Sequence, residues 1–167
     1  MGDSHVTRLA RYQHELLNHL SGVSLRFAER RGAGIRWGER NAHAAMDVDV
    51  VVLMLGGNDL DSGMSATQLA DRIGHLGRQM VDQYRAQTVV ITSQWPRTSQ
   101  QYNLRAREFA SIMERRHLGD EAVTFWLWDR RQPWRNRDGT HLTDHGYRTA
   151  VRYLQAIIVW AAHHNLW

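Results

Sequence analysis

The chain has 167 residues, 43% of them hydrophobic and 23% charged, an ordinary balance for one globular domain with a real core. It contains no cysteine, which excludes disulfides, thiolate metal sites and a cysteine nucleophile. The formal charge is +4 and all 21 basic residues are arginine, a composition that suits anionic partners but also follows from GC-rich coding. No apolar leader opens the sequence, and its longest apolar run, Ala156 to Ala162, is too short to span a bilayer. The expectation is a cytoplasmic protein with no membrane partner, no metal and no cofactor.

From Ser4 to Leu20 the apolar residues Val6, Leu9, Tyr12, Leu16 and Leu20 fall at helical steps of three and four, and Ser21-Gly22 stops the run. Gly22 to Phe27 alternates and predicts a short strand. Ala28 to Ala45 is irregular, with a short helix near Glu39 to Ala45. Val50 to Leu55 is a near-continuous apolar run, the mark of a strand buried on both faces in a parallel sheet. Gly56-Gly57-Asn58-Asp59 ends it. Ser65 with Gln68 forms a capping box, and Leu69, Ile73, Leu76, Met80 and Tyr84 share one face of the helix that follows. Thr88 to Thr92 predicts the next strand, Tyr102 to Arg116 a helix, Val123 to Leu127 a strand, and Thr143 onward a final helix. Strands alternating with helices imply an α/β fold, a three-layer α/β/α sandwich with a mostly parallel sheet. In such sheets, sites form at the carboxyl ends of the strands.

Three polar blocks lie at such positions: Gly2-Asp3-Ser4-His5, Gly56-Gly57-Asn58-Asp59 and Asp138-Gly139-Thr140-His141-Leu142. Each has an ordinary explanation by itself. Asp and Ser are good helix caps, and Asn-Asp and Asp-Gly are good turn dipeptides. Their joint occurrence, in this order, points to a site.

Together the blocks resemble the SGNH hydrolase superfamily, the Gly-Asp-Ser-Leu type of esterases and lipases, over nearly the whole chain. They are most similar to esterase-like domains that open Gly-Asp-Ser-His-Val and occur in animal genomes, often beside retroelements. Ser93-Gln94-Trp95-Pro96-Arg97 is also similar to a segment of that subgroup. The resemblance implies a flavodoxin-like sheet and a small-molecule ester substrate. It implies Ser4 as nucleophile, His141 as base and Asp138 as the group that orients the base. The backbone N–H of Ser4, a glycine N–H and the Asn58 amide would form the oxyanion hole. Gly32 best matches the glycine, with Gly34 the alternative, and either also suits a turn. His145 lies one turn after His141, but the Asp-x-x-His spacing favours His141. His163-His164 lacks partners spaced for a metal.

The family's strand that feeds the Gly-Asp-Ser turn is central, and here only Met1 precedes the turn. The expectation is therefore a single domain, residues 1–167, lacking that first strand and N-terminally truncated. Arg130, Arg131, Arg135 and Arg137 surround Trp134 just before Asp138. They suit a solvated loop, an anionic ester or a nucleic-acid strand. Two functions follow: a serine esterase acting on small acyl esters of acetyl type, or a non-catalytic module of the same fold that binds nucleic acid or protein.

Overall fold

The computed structural model describes residues 1–18, 20–117, 120, 122–128 and 138–165 of the chain. A sheet of three parallel strands forms its centre, in the order β1 (Val50–Leu53), β2 (Thr88–Thr92) and β3 (Val123–Trp126). Val50 pairs with Thr88 and Val89 with Val123. All five residues of β2 are buried, as a central strand rich in β-branched side chains should be.

Helices cover both faces. On one, α5 (Ala66–Asp82) and α6 (Gln100–Arg116) bury Leu69, Ile73, Leu76, Phe109 and Met113 against Leu53, Val89, Ile91 and Val123. On the other, α1 (Ser4–Leu9), a 3-10 turn at Ala10–Tyr12, α2 (Gln13–Leu17) and α7 (Asp144–Asn165) pack on Met54 and Val90. Val6, Leu9, Leu16, Tyr147, Val151 and Leu154 form that second core. The three-layer α/β sandwich is thus observed, with each helical stripe predicted by periodicity facing the sheet. The Ser65–Gln68 capping box is formed in both directions.

Besides the break of the expected Ser4 to Leu20 helix into α1, the 3-10 turn and α2, which ends at Leu17, two further elements differ from expectation. Gly22 to Phe27 is not a strand. Its alternating Val23, Leu25 and Phe27 are only partly buried, against the second core. A strand needs a ladder partner, and the bonds to neighbouring backbone begin only beyond Phe27, at Ala28 to Arg30. Gly2 makes isolated parallel bridges to Glu29 on one side and Met54 on the other. Its N–H donates to Ala28 O (3.0 Å), Arg30 N–H donates to its carbonyl (3.2 Å) and Met54 N–H donates to Met1 O (2.9 Å). Met1 and Gly2 thus link the end of the irregular segment to the end of β1. The second difference is the helix expected near Glu39 to Ala45. It begins earlier, as α3 (Ile35–Arg40), followed by a 3-10 turn at Ala42–Ala45. Among the described residues, no helix is long and apolar enough to cross a membrane.

Candidate active site

Ser4 is the first residue of α1, and Asp3 caps that helix by accepting from His5 N–H at 2.9 Å. Gly2 must be glycine here, because a Cβ would stand 2.3 Å from Val6 Cγ2 and 2.7 Å from Met54 O. Close packing of the turn against the end of β1 therefore fixes the direction of Ser4. Its Oγ lies 3.0 Å from His141 Nε2, and His141 Nδ1 lies 2.7 Å from Asp138 Oδ2. The 138–141 turn folds so that Asp138 Oδ1 also accepts the backbone N–H groups of Thr140 and His141. The His141 backbone N–H, its ring and the Thr140 N–H together hold the Asp138 carboxyl far below the usual carboxylate range. Asp138 is thus a permanent anion facing one nitrogen of the imidazole, and the other nitrogen faces the serine.

The second block sits on α4 (Gly57–Asp61), which follows Gly56 in the left-handed region at φ 108°. Asn58 Nδ2 donates to Ala33 O at 2.9 Å and lies 3.4 Å from Asp3 Oδ2. Asp59 Oδ2 accepts from Ile35 N–H at 2.8 Å, binding the start of α3 to α4. Gly34 is extended, and a Cβ on it would come within 2.6 Å of the Asp59 carboxylate. Gly32 has φ +69° with open space beside it. The intervening Ala33 donates its N–H to Arg30 O at 3.0 Å. Ser4, Asp138 and His141 are thus drawn together in one chain of contacts. Asn58 and the Gly32–Gly34 turn are drawn to each other beside Asp3.

Several residues of the site carried no assigned role in the sequence. Arg97 is 7% exposed. Its Nη2 donates to Asn58 Oδ1 at 3.2 Å, its Nη1 pairs with Asp61 at 2.9 Å, and its guanidinium lies 4.7 Å from the centre of the Tyr102 ring. Because a guanidinium only donates, it fixes which end of the Asn58 amide is oxygen and turns the NH2 toward Ala33 and Asp3. Thr98 N–H donates to Gly139 O at 3.2 Å, which ties the same segment to the third block. Trp95 stacks on Trp128 and on His5. The Ser93 to Thr98 stretch is therefore the brace between two blocks. Its sequence signal was the similarity of Ser93 to Arg97 to a family segment, without a role attached.

His5 is buried against Trp95, His141 and Tyr147, with its Nδ1 3.1 Å from the Tyr147 hydroxyl. Burial, aided by the His141 and Arg97 charges, pushes its pKa down to about 3, so it stays neutral. Burial likewise raises the Asp3 carboxyl, against the opposing pull of the His5 N–H and Arg97. Among the described residues, no group of His, Asp and Glu side chains is arranged to hold a metal ion. The basic stretch Arg130, Arg131, Arg135 and Arg137 with Trp134 lies outside the described residues, as does the side chain of His164.

The GDSL-like lipase/acylhydrolase family model matches residues 1–149. A search of curated protein sequences found no significant match. Among solved structures, the chain is similar to a G-D-S-L family lipolytic protein from Veillonella parvula DSM 2008. That pair has a TM-score of 0.72 at 17% identity, over 95% of this chain and 94% of that one. It is similar to an acetyl esterase, solved as an S10A mutant with acetate, at TM-score 0.69 and 12% identity over 96% and 94% of the two chains. A family 3 carbohydrate esterase from Clostridium thermocellum aligns at TM-score 0.64 and 20% identity over 98% and 96%. At these identities the structures speak for the fold, and the family match spans most of the chain. The protein belongs to the GDSL-like lipase/acylhydrolase family and is an ester-hydrolysing enzyme of the SGNH type.

Proposed function

We propose that the chain hydrolyses small acyl esters, of acetyl type, through Ser4, His141 and Asp138. The contact that carries this reading is the 3.0 Å approach of His141 Nε2 to Ser4 Oγ, continued by the 2.7 Å approach of His141 Nδ1 to Asp138. Ser4 Oγ attacks the ester carbonyl carbon as its proton passes to His141 Nε2. The tetrahedral oxyanion takes hydrogen bonds from the Ser4 N–H, the Gly32 N–H and the Asn58 amide, which exchanges its long 3.4 Å contact to Asp3 for the oxyanion, donors of the kind that supply several kcal/mol. Its collapse breaks the bond to the alcohol oxygen, which leaves with the proton from His141. Water then gives a proton to His141 and attacks the acyl-serine. The second collapse returns that proton to Ser4 Oγ and frees the carboxylic acid. The balance is one ester and one water in, one acid and one alcohol out. Asp138 remains ionised throughout, holding the Nδ1–H tautomer and balancing the imidazolium.

Acetyl preference is supported by the acetyl esterase and carbohydrate esterase among the structures of this fold. Turnover of a p-nitrophenyl ester series from acetate to octanoate tests it. The expected result is highest kcat/KM on acetate, and loss of activity to background in Ser4→Ala. A preference for octanoate overturns the acyl assignment, and undiminished activity in Ser4→Ala overturns the nucleophile.

A further inference from the structure

Beside the Asn58 loop, sharing Gly32 and Asn58 with the proposed oxyanion hole, lies a cavity of about 700 Å³. Four arginines, Arg30, Arg31, Arg36 and Arg40, line it together with Trp37, and Asn58 belongs to its wall. All four guanidiniums are on exposed residues, and none has an ion-pair or hydrogen-bond partner among the described residues. The other basic residue of the wall is neutralised, since Arg72 forms a two-bond pair with Glu39. Asp59, the acid of the wall, is engaged with Ile35 N–H.

Four like charges around one concavity repel one another, and among the described residues none of the four is held in an ion pair, Asp59 being the one acid of the wall. They raise the local concentration of anions and reward one that bridges them. Guanidiniums suit this task because each presents paired donors to a carboxylate or phosphate. The volume fits a small molecule of one or two rings, and the half-buried Trp37 supplies an apolar wall. The cavity also has a fixed relation to the reacting atoms. Arg30 N–H donates to the carbonyl of Gly2, two residues before Ser4, and Asn58 lines the cavity while approaching Asp3.

We propose that this cavity is an anion subsite that selects esters whose alcohol portion carries a carboxylate or phosphate group. The inference rests on the ester-hydrolase reading of Ser4, and the experiment separates the two. Three acetyl esters are compared: phenyl acetate, 3-acetoxybenzoate and 3-acetoxyphenyl phosphate. The wild-type protein is expected to show kcat/KM about tenfold or more higher on at least one anionic ester than on phenyl acetate at low salt. That advantage should shrink as ionic strength rises. Which anionic ester gains more identifies carboxylate or phosphate as the preferred group. In the double variant Arg36→Gln/Arg40→Gln, verified as folded by thermal melting, the anionic-to-neutral ratio should fall about tenfold. Arg107→Gln, a charge change on an exposed position of α6, should leave the ratio where it was. A ratio near one in the wild type, or one that the double variant does not move, overturns the subsite while leaving the hydrolase intact. Absence of turnover on all three esters overturns both. Retention of a single-stranded oligonucleotide by the wild type but not the double variant, with ester ratios unchanged, overturns it in favour of a nucleic-acid surface.

Discussion

His5 follows the proposed nucleophile and is held neutral by its burial, with a pKa of about 3. The unfolded chain protonates a histidine near 6.5. Above pH 6.5 this group therefore imposes no penalty on folding. As pH falls from 6.5 toward 3, only the unfolded state takes the proton, and stability is lost. His5→Gln should remove that component. Urea unfolding at pH 7 and pH 5 should show the wild type losing on the order of 1–2 kcal/mol more than the variant. Equal losses would contradict the neutral, buried assignment. A second test at this scale concerns Arg97, which points the Asn58 amide. Asn58→Ala should lower kcat by roughly 10²–10³ if its amide serves the oxyanion. Arg97→Met should cost roughly tenfold in kcat in the wild-type background but little in Asn58→Ala, because the two act through one group. An equal cost in both backgrounds would make Arg97 merely structural. Arg97 illustrates what sequence could not show. Its partners Asp61 and Asn58 are 36 and 39 positions away, and a lone arginine after Trp95-Pro96 carries no mark of contact with either.

At the level of elements, the site is a set of turns closed by specific side chains. The Gly32–Gly34 turn is held to α4 by Asp59, and Gly34 lacks a Cβ where one would strike that carboxylate. Gly34→Ala should displace Asp59 or the turn, lowering kcat on the order of 10²-fold with a smaller change in KM. A variant with unchanged kcat would show that the turn tolerates the shift. Helices and strands here were legible from residues because their signals are local. The steps Leu69, Ile73, Leu76 and Met80 mark one face of α5, and Ser65 with Gln68 marks its start. β2 follows from Thr-Val-Val-Ile-Thr alone. The segment Gly22 to Phe27 has an equally good alternating pattern and still forms no strand. Pattern encodes which side chains face inward, whereas a strand also needs a neighbouring backbone, and the backbone bonds of this stretch to Gly2 begin only at Ala28 and Arg30.

Across the whole molecule, the sheet gathers three distant blocks at one end. The turn before α1, the turn into α4 and the 138–141 turn before α7 come from the two termini and the middle of the chain. The Ser93 to Thr98 segment after β2 braces the last two, through Arg97 to Asn58 and Thr98 to Gly139. Their order in the sequence made the site readable, because each block follows a strand end or precedes a helix. The cavity lined by Arg30, Arg31, Arg36 and Arg40 was not readable, since these arginines carry no spacing signal and only folding brings them together. Everything proposed for this end of the sheet depends on Ser4 being a nucleophile activated by His141. Treatment of the folded protein with a fluorophosphonate, followed by peptide mapping, tests it most directly. An adduct is expected on Ser4, absent in Ser4→Ala and formed about 10³-fold more slowly or worse in His141→Ala. Absence of an adduct on the folded wild-type protein, or an adduct on another serine that persists in Ser4→Ala, would contradict it.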